Sequence, residues 1–148
     1  MRSRFAVALL ALAPIGVMRA QAPEIKWGPA PAVFPAGIKM AVLQGDPSGP
    51  GMFTVRLDFP AGARIAPHFH PTEEVVTVMS GTFVIGMGDT VDPTKTMALP
   101  AGASITAPAA AHHYASARGH TVVQVSAIGP FALTYVNPAD QPKPAASK

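Results

Sequence analysis

The sequence predicts an all-β domain, a sandwich or barrel of the jelly-roll kind, on three observations. Apolar segments of strand length recur along the chain, Gly and Pro clusters separate them, and no segment sustains a helical period. The clearest segment, Phe53 to Phe59, alternates strictly: Phe53, Val55, Leu57 and Phe59 share one face and Thr54, Arg56 and Asp58 the other. Such alternation belongs to an antiparallel strand buried on one side only.

The first 22 residues are set apart from the fold. Arg2 and Arg4 precede an apolar run from Phe5 to Met18, and Ala20-Gln21-Ala22 has the small-residue pattern of a cleavage site. This is the layout of a secretory signal peptide; the run is short for a membrane span, and no second apolar segment of spanning length follows. The expectation is therefore a secreted or periplasmic protein, cleaved after Ala22 or Ala20 and with no membrane span once cleaved. Loss of Arg2, Arg4 and Arg19 from the 11 Lys+Arg leaves 8 against 8 Asp+Glu. With a formal charge of zero and no basic run, nucleic acid and anionic membrane surfaces are not expected partners. The chain has no cysteine, so disulfides, thiolate ligands and nucleophilic cysteine are excluded. Any metal must be held by nitrogen and oxygen.

Residues 23–37 contain Pro23, Pro29, Pro31 and Pro35 and read as an extended arm, with Trp27 expected to anchor it to the domain. The folded domain is expected over residues 38–136. Its strands begin with Ile38 to Leu43, followed by a Gly- and Pro-rich turn over residues 45–51, and then Phe53 to Phe59. Val75 to Met79 and Thr82 to Met87 flank a turn at Ser80-Gly81. A polar loop from Gly88 to Lys95 leads to strands at Met97 to Leu99, Ser104 to Ala107, His113 to Ala117, Thr121 to Ile128 and Phe131 to Val136. Residues 137–148 form a Pro-, Ala- and Lys-containing tail, expected to be loose. Phe53, Phe59, Phe83 and Phe131 are expected in the core. Met40, Met52, Met79, Met87 and Met97 are expected to fill gaps in it rather than to bind a soft metal.

All five histidines lie between positions 68 and 120. On a strand, side chains at i and i+2 point the same way, so His68 and His70 project together with Phe69 opposed. After Pro71-Thr72, Glu74 can return on the next strand toward the same interior. Imidazole and carboxylate are the common ligands of first-row transition metals. Two adjacent pairs leave a choice, because neighbouring strand residues face opposite ways. The pairs are Glu73-Glu74 and His112-His113, and parity admits one of each to the interior. His120, next to the Arg118-Gly119 turn, reads as a surface residue.

These residues give the chain a resemblance to the cupin family. Gly62, His68, His70, Glu74 and Gly81 satisfy every fixed position of its first motif, G-x5-H-x-H-x3,4-E-x6-G. Gly102, Pro108 and His113 satisfy the second, G-x5-P-x-G-x2-H-x3-N, in which Ala110 replaces the second glycine and Ala117 the asparagine. The resemblance covers roughly Ile38 to Val136 and is closest to small exported single-domain (RmlC-like) cupins. It implies a double-stranded antiparallel β-barrel enclosing one divalent metal (iron, manganese, nickel, zinc or copper), with His68, His70, Glu74 and His113 as ligands. It also implies open coordination positions for water or substrate, and pairing into a homodimer, for which the arm is a candidate exchanged segment.

Strand parity puts Ala66, Val76, Val78, Ala115 and Ala117 on the face of the ligands, so the pocket wall is expected to be apolar and small. That favours a modest apolar or aromatic small molecule over a sugar or nucleotide. Glu73, His112, Tyr114 and Arg64 flank the ligands and are the candidates for proton transfer. The expected function is metal-dependent catalysis, dioxygenase-like or Lewis-acid, with non-catalytic binding of a metal or small ligand as the alternative.

Overall fold

Alternation builds the first sheet. The computed structural model describes residues 24–143; the leader expected over residues 1–22 and the end of the tail lie outside them. Strands β1 (Gly28–Pro29), β2 (Lys39–Gln44), β3 (Gly51–Phe59), β4 (Arg64–Phe69), β5 (Glu74–Ser80), β6 (Thr82–Met87), β7 (Thr96–Pro100), β8 (Ser104–Ala107), β9 (His113–Ala117), β10 (Thr121–Gly129) and β11 (Thr134–Tyr135) form two sheets. One runs β1-β2-β3-β10-β5-β8 and the other β11-β4-β9-β6-β7, and every pairing is antiparallel. The core lies between them. Phe53, Val55, Leu57 and Phe59 of β3 meet Ile65 of β4, Phe83 and Ile85 of β6 and Ala115 and Ala117 of β9. This is the jelly-roll barrel the sequence predicts. Among the described residues no helix is long and apolar enough to cross a membrane.

Several expectations change in detail. The segment from Phe131 to Val136 forms a strand only at Thr134–Tyr135; at its start Phe131 donates its N–H to the Pro47 carbonyl of a loop rather than to a ladder. Trp27 is 38 % exposed; the arm is anchored instead by Phe34, 5 % exposed and stacked on Phe131 with centroids 5.8 Å apart. Tyr135 fixes the same segment by donating its hydroxyl proton to the Val33 carbonyl. Met52, Met79, Met87 and Met97 are exposed, and of the five candidate gap-fillers only Met40 reaches the interior cavity. The loop before β7 contains a short 3-10 turn, Pro93–Lys95, capped by Asp92 accepting from the Thr94 N–H.

One irregularity matters for everything that follows. β4 and β9 pair Ile65 with Ala115 but His68 with His113, so β4 carries one extra residue between those contacts. A β-bulge of this kind reverses the in-and-out phase of the strand beyond it. Ile65 faces the core before the bulge and His68 faces it after, although they are three residues apart. Pro67, with no N–H to give to the ladder, suits that position.

Two turns show how the backbone is set. Gly81 has φ +79°, and a Cβ there would collide with the His120 carbonyl oxygen. Ala110 has φ 58° without being glycine. A left-handed Ala costs about 1–2 kcal/mol, while glycine restores about 0.5–1 kcal/mol of unfolded-chain entropy. Ala110→Gly is therefore expected to stabilise the protein by about 0.5–1 kcal/mol. Thermal melting should rise by a few degrees; an unchanged or lower midpoint would show that Ala110 is not strained.

Candidate metal centre

Three imidazoles converge between the sheets. His68 comes from β4 and His113 from the facing position on β9. His70 follows in the connection to β5, which Ala110 ties down by donating its N–H to the His70 carbonyl. Glu74 opens β5 in the opposite sheet. All four side chains are buried, at 3 % (His68), 6 % (His70), 8 % (Glu74) and 2 % (His113) exposure. Ring centroids are 4.3 Å apart for His68–His113, 5.0 Å for His68–His70 and 5.3 Å for His70–His113. Their ligand atoms all lie within 4.8 Å of one another. The Glu74 oxygens lie 3.5 Å from His70 Nε2 and 3.7 Å from His113 Nε2.

Each ring is held by its other nitrogen. Nδ1 of His68 meets the Ala66 carbonyl at 2.8 Å, that of His70 the Ala132 carbonyl at 2.8 Å, and that of His113 the Ala111 carbonyl at 2.9 Å. A carbonyl only accepts, so each Nδ1 carries the proton. In the neutral ring the lone pair is then on Nε2. Fixing a ligand histidine by a hydrogen bond at its other nitrogen is the usual support for metal binding. The donor set therefore fits a divalent transition metal: three oriented nitrogens and one neighbouring carboxylate.

The charges are arranged accordingly. Burial, with His113 and His70 as close neighbours, pushes the His68 pKa down to about 3. At His113 burial works against the charge, but the Glu74 carboxylate and the Ala111 carbonyl outweigh it and the pKa rises. In the metal-free protein, the stability linked to neutral His68 is fully present above its unfolded value of 6.5. It is lost as pH falls from there toward about 3, since the unfolded chain takes up a proton that the folded site refuses. His113 acts oppositely, its contribution being lost as pH rises through its raised pKa. Denaturant midpoints of the metal-free protein should therefore fall on acidification below pH 6.5. A flat profile over that window would mean that His68 is not held neutral.

The flanking candidates do not join the site. Glu73 and Arg64 are exposed. His112 points outward, its Nδ1 2.6 Å from Asp89 Oδ1, and stacks on Phe69. Tyr114 lies on the outer face of β9 and donates its hydroxyl proton to the Asp92 carbonyl. His120 sits at the surface, 2.6 Å from Asp58 Oδ1.

The four clustered side chains line a cavity of about 40 Å³ whose remaining walls are apolar. Val76 and Ala115 line it as expected, whereas Val78 and Ala117 are buried in the core beside it. On β4 the wall residue is Ile65 rather than Ala66, because the bulge shifts the phase. Nor is the wall built of small residues: Phe34, Phe53, Phe59, Phe83 and Phe131 contribute to it. Phe34 and the Ala132 carbonyl come from segments distant in sequence, and a carbonyl oxygen leaves no mark in a sequence. Sequence reasoning had no signal for either.

Comparison with known proteins agrees with this architecture. The chain is similar to a cupin from Shewanella frigidimarina described as RmlC-like, at 19 % identity over 76 % of this chain and 91 % of that one, with a TM-score of 0.58. It is similar to a putative acetylacetone dioxygenase from Methylibium petroleiphilum, at 23 % identity over 86 % and 90 % of the two chains, with a TM-score of 0.61. It is also similar to the polyketide cyclase RemF from Streptomyces resistomycificus, at 16 % identity over 85 % and 89 %, with a TM-score of 0.66. These likenesses are of fold. Comparison with curated proteins finds no significant match. The model of the Cupin domain family matches residues 55–129, which run from the middle of β3 to the end of β10 and include all four clustered side chains. With half its length matched in this way and its strands closed into the two-sheet barrel, the chain belongs to the cupin superfamily.

Proposed function

We propose that this cupin binds one divalent transition-metal ion through His68, His70, His113 and Glu74 and acts on a small molecule bound beside it. The observation that carries this reading is the tethering of three buried imidazoles through Nδ1, with one ligand atom of each within 4.8 Å of the others and Nε2 of His70 and His113 beside Glu74. Left without an ion, such a cluster buries three basic rings for no structural gain.

Iron or manganese in this setting supplies redox chemistry with dioxygen, while zinc or nickel supplies Lewis acidity. Of the two, the walls favour the first. Lewis-acid chemistry requires a positioned proton donor or acceptor, and the cavity offers none beyond the four proposed ligands. The similarity in fold to a putative acetylacetone dioxygenase is consistent with this preference. The same bare wall keeps a second reading in play, that of a non-catalytic binder of a metal or small ligand.

The test is reconstitution. Metal-free protein is titrated in turn with Fe(II), Mn(II), Zn(II) and Ni(II), and bound metal is counted by elemental analysis. One equivalent is expected, followed by O2 uptake with small apolar chelating substrates on the iron or manganese form. Stoichiometric metal without O2 uptake or substrate conversion favours the binder. No stoichiometric metal refutes the metal reading.

A further inference from the structure

We infer that Phe131 sets the size of the molecule this site accepts, restricting it to a polar head carried on a compact apolar body. The inference rests on the proposed metal site and deepens it.

Among the side chains that line the cavity only the four clustered ones are polar. With no Lys, Arg, Ser, Thr, Asn or Gln on the wall, a ligand can satisfy polar atoms only at the ion and at Glu74. Any further hydroxyl or charge on its body would be buried without a partner. The enclosed space is small, about 40 Å³, so a bulky body meets the walls.

Phe131 is placed to impose that limit. Its ring centroid is 5.4 Å from that of His70, so it borders the space next to the proposed ion. Phe34 stacks against it at 5.8 Å with planes 7° apart, and Phe53 meets it edge-on at 6.1 Å. Two rings thus fix its orientation. Unlike Phe53, Phe59 and Phe83 it lies outside any strand, and it is half-buried where they are buried. It can be shortened without breaking a sheet. Its loss vacates the volume of one phenyl group beside His70.

Hydroxamates test this, because they bind zinc through two oxygens while the attached body can be varied. Zinc-loaded protein, with zinc counted first, is titrated calorimetrically with acetohydroxamate, benzohydroxamate and glycine hydroxamate. Acetohydroxamate should bind the native protein at least about tenfold more tightly than the other two. Phe131→Ala, still carrying one zinc, should recover benzohydroxamate binding by about tenfold or more but not binding of the charged glycine analogue. If Phe131→Ala does not fold, Phe131→Leu serves, with a smaller recovery. Equal affinity of the native protein for the methyl and phenyl compounds, or no recovery in a zinc-loaded variant, overturns the size assignment alone. Tight binding of glycine hydroxamate overturns the apolar-body requirement. Failure to load zinc overturns the metal reading and this assignment with it.

Discussion

His70→Ala is expected to lose bound transition metal, from about one equivalent to a small fraction at micromolar protein, while the barrel stays folded. Weakening of at least about a hundredfold is expected, since disturbing only the outer partners of metal ligands already costs about 10–100-fold. The fold should survive because His70 lies outside the strands and its ring lines the cavity. Glu73→Gln and His112→Ala should keep their metal, because Glu73 is exposed and His112 is paired outward with Asp89. Elemental analysis with circular dichroism on all three variants makes the comparison. Retention of metal by His70→Ala, or its loss from the two controls, would show that the ligands have been misassigned.

Phe59→Ala is expected to cost about 3–5 kcal/mol, the range for deleting a buried aromatic ring. Phe59 is 1 % exposed, packs edge-on to Phe83 at 5.7 Å, and pairs in register with Thr121, itself fully buried. No disulfide supports the chain, so this loss falls on core packing and takes a large share of a typical 5–15 kcal/mol stability. Urea midpoints measured on metal-free protein would read it directly, and a loss below about 1 kcal/mol would mean that the neighbouring strands close over the gap.

The strands and the site were legible for different reasons. Strict alternation located β3, because a half-buried strand has to alternate, whereas β5, β6 and β10 are legible only as apolar segments between turns. His68, His70, Glu74 and His113 stand out because strand histidines at i and i+2 project together and because all four fall on fixed positions of the two cupin motifs. What sequence could not show was long-range or carried by the backbone. The bulge before His68 makes Ile65 rather than Ala66 a wall residue, and no residue type announces an insertion of phase. Phe34 replaced Trp27 as the anchor of the arm because only the folded chain brings it to Phe131. Exposed Met52, Met87 and Met97 sit on edges or outer faces, where composition alone cannot place them.

The bulge in β4 also makes the direction of the histidines a matter of register. Deleting one residue between Ile65 and His68 would restore regular alternation with Ile65 and His68 two positions apart, both still facing inward. Keeping every residue but pairing β4 regularly with β9 would instead turn the imidazoles of His68 and His70 toward solvent and bring Phe69 inward. The same side chains thus point into the barrel or out of it according to where one surplus residue is accommodated, which makes the site a property of the backbone as much as of the histidines.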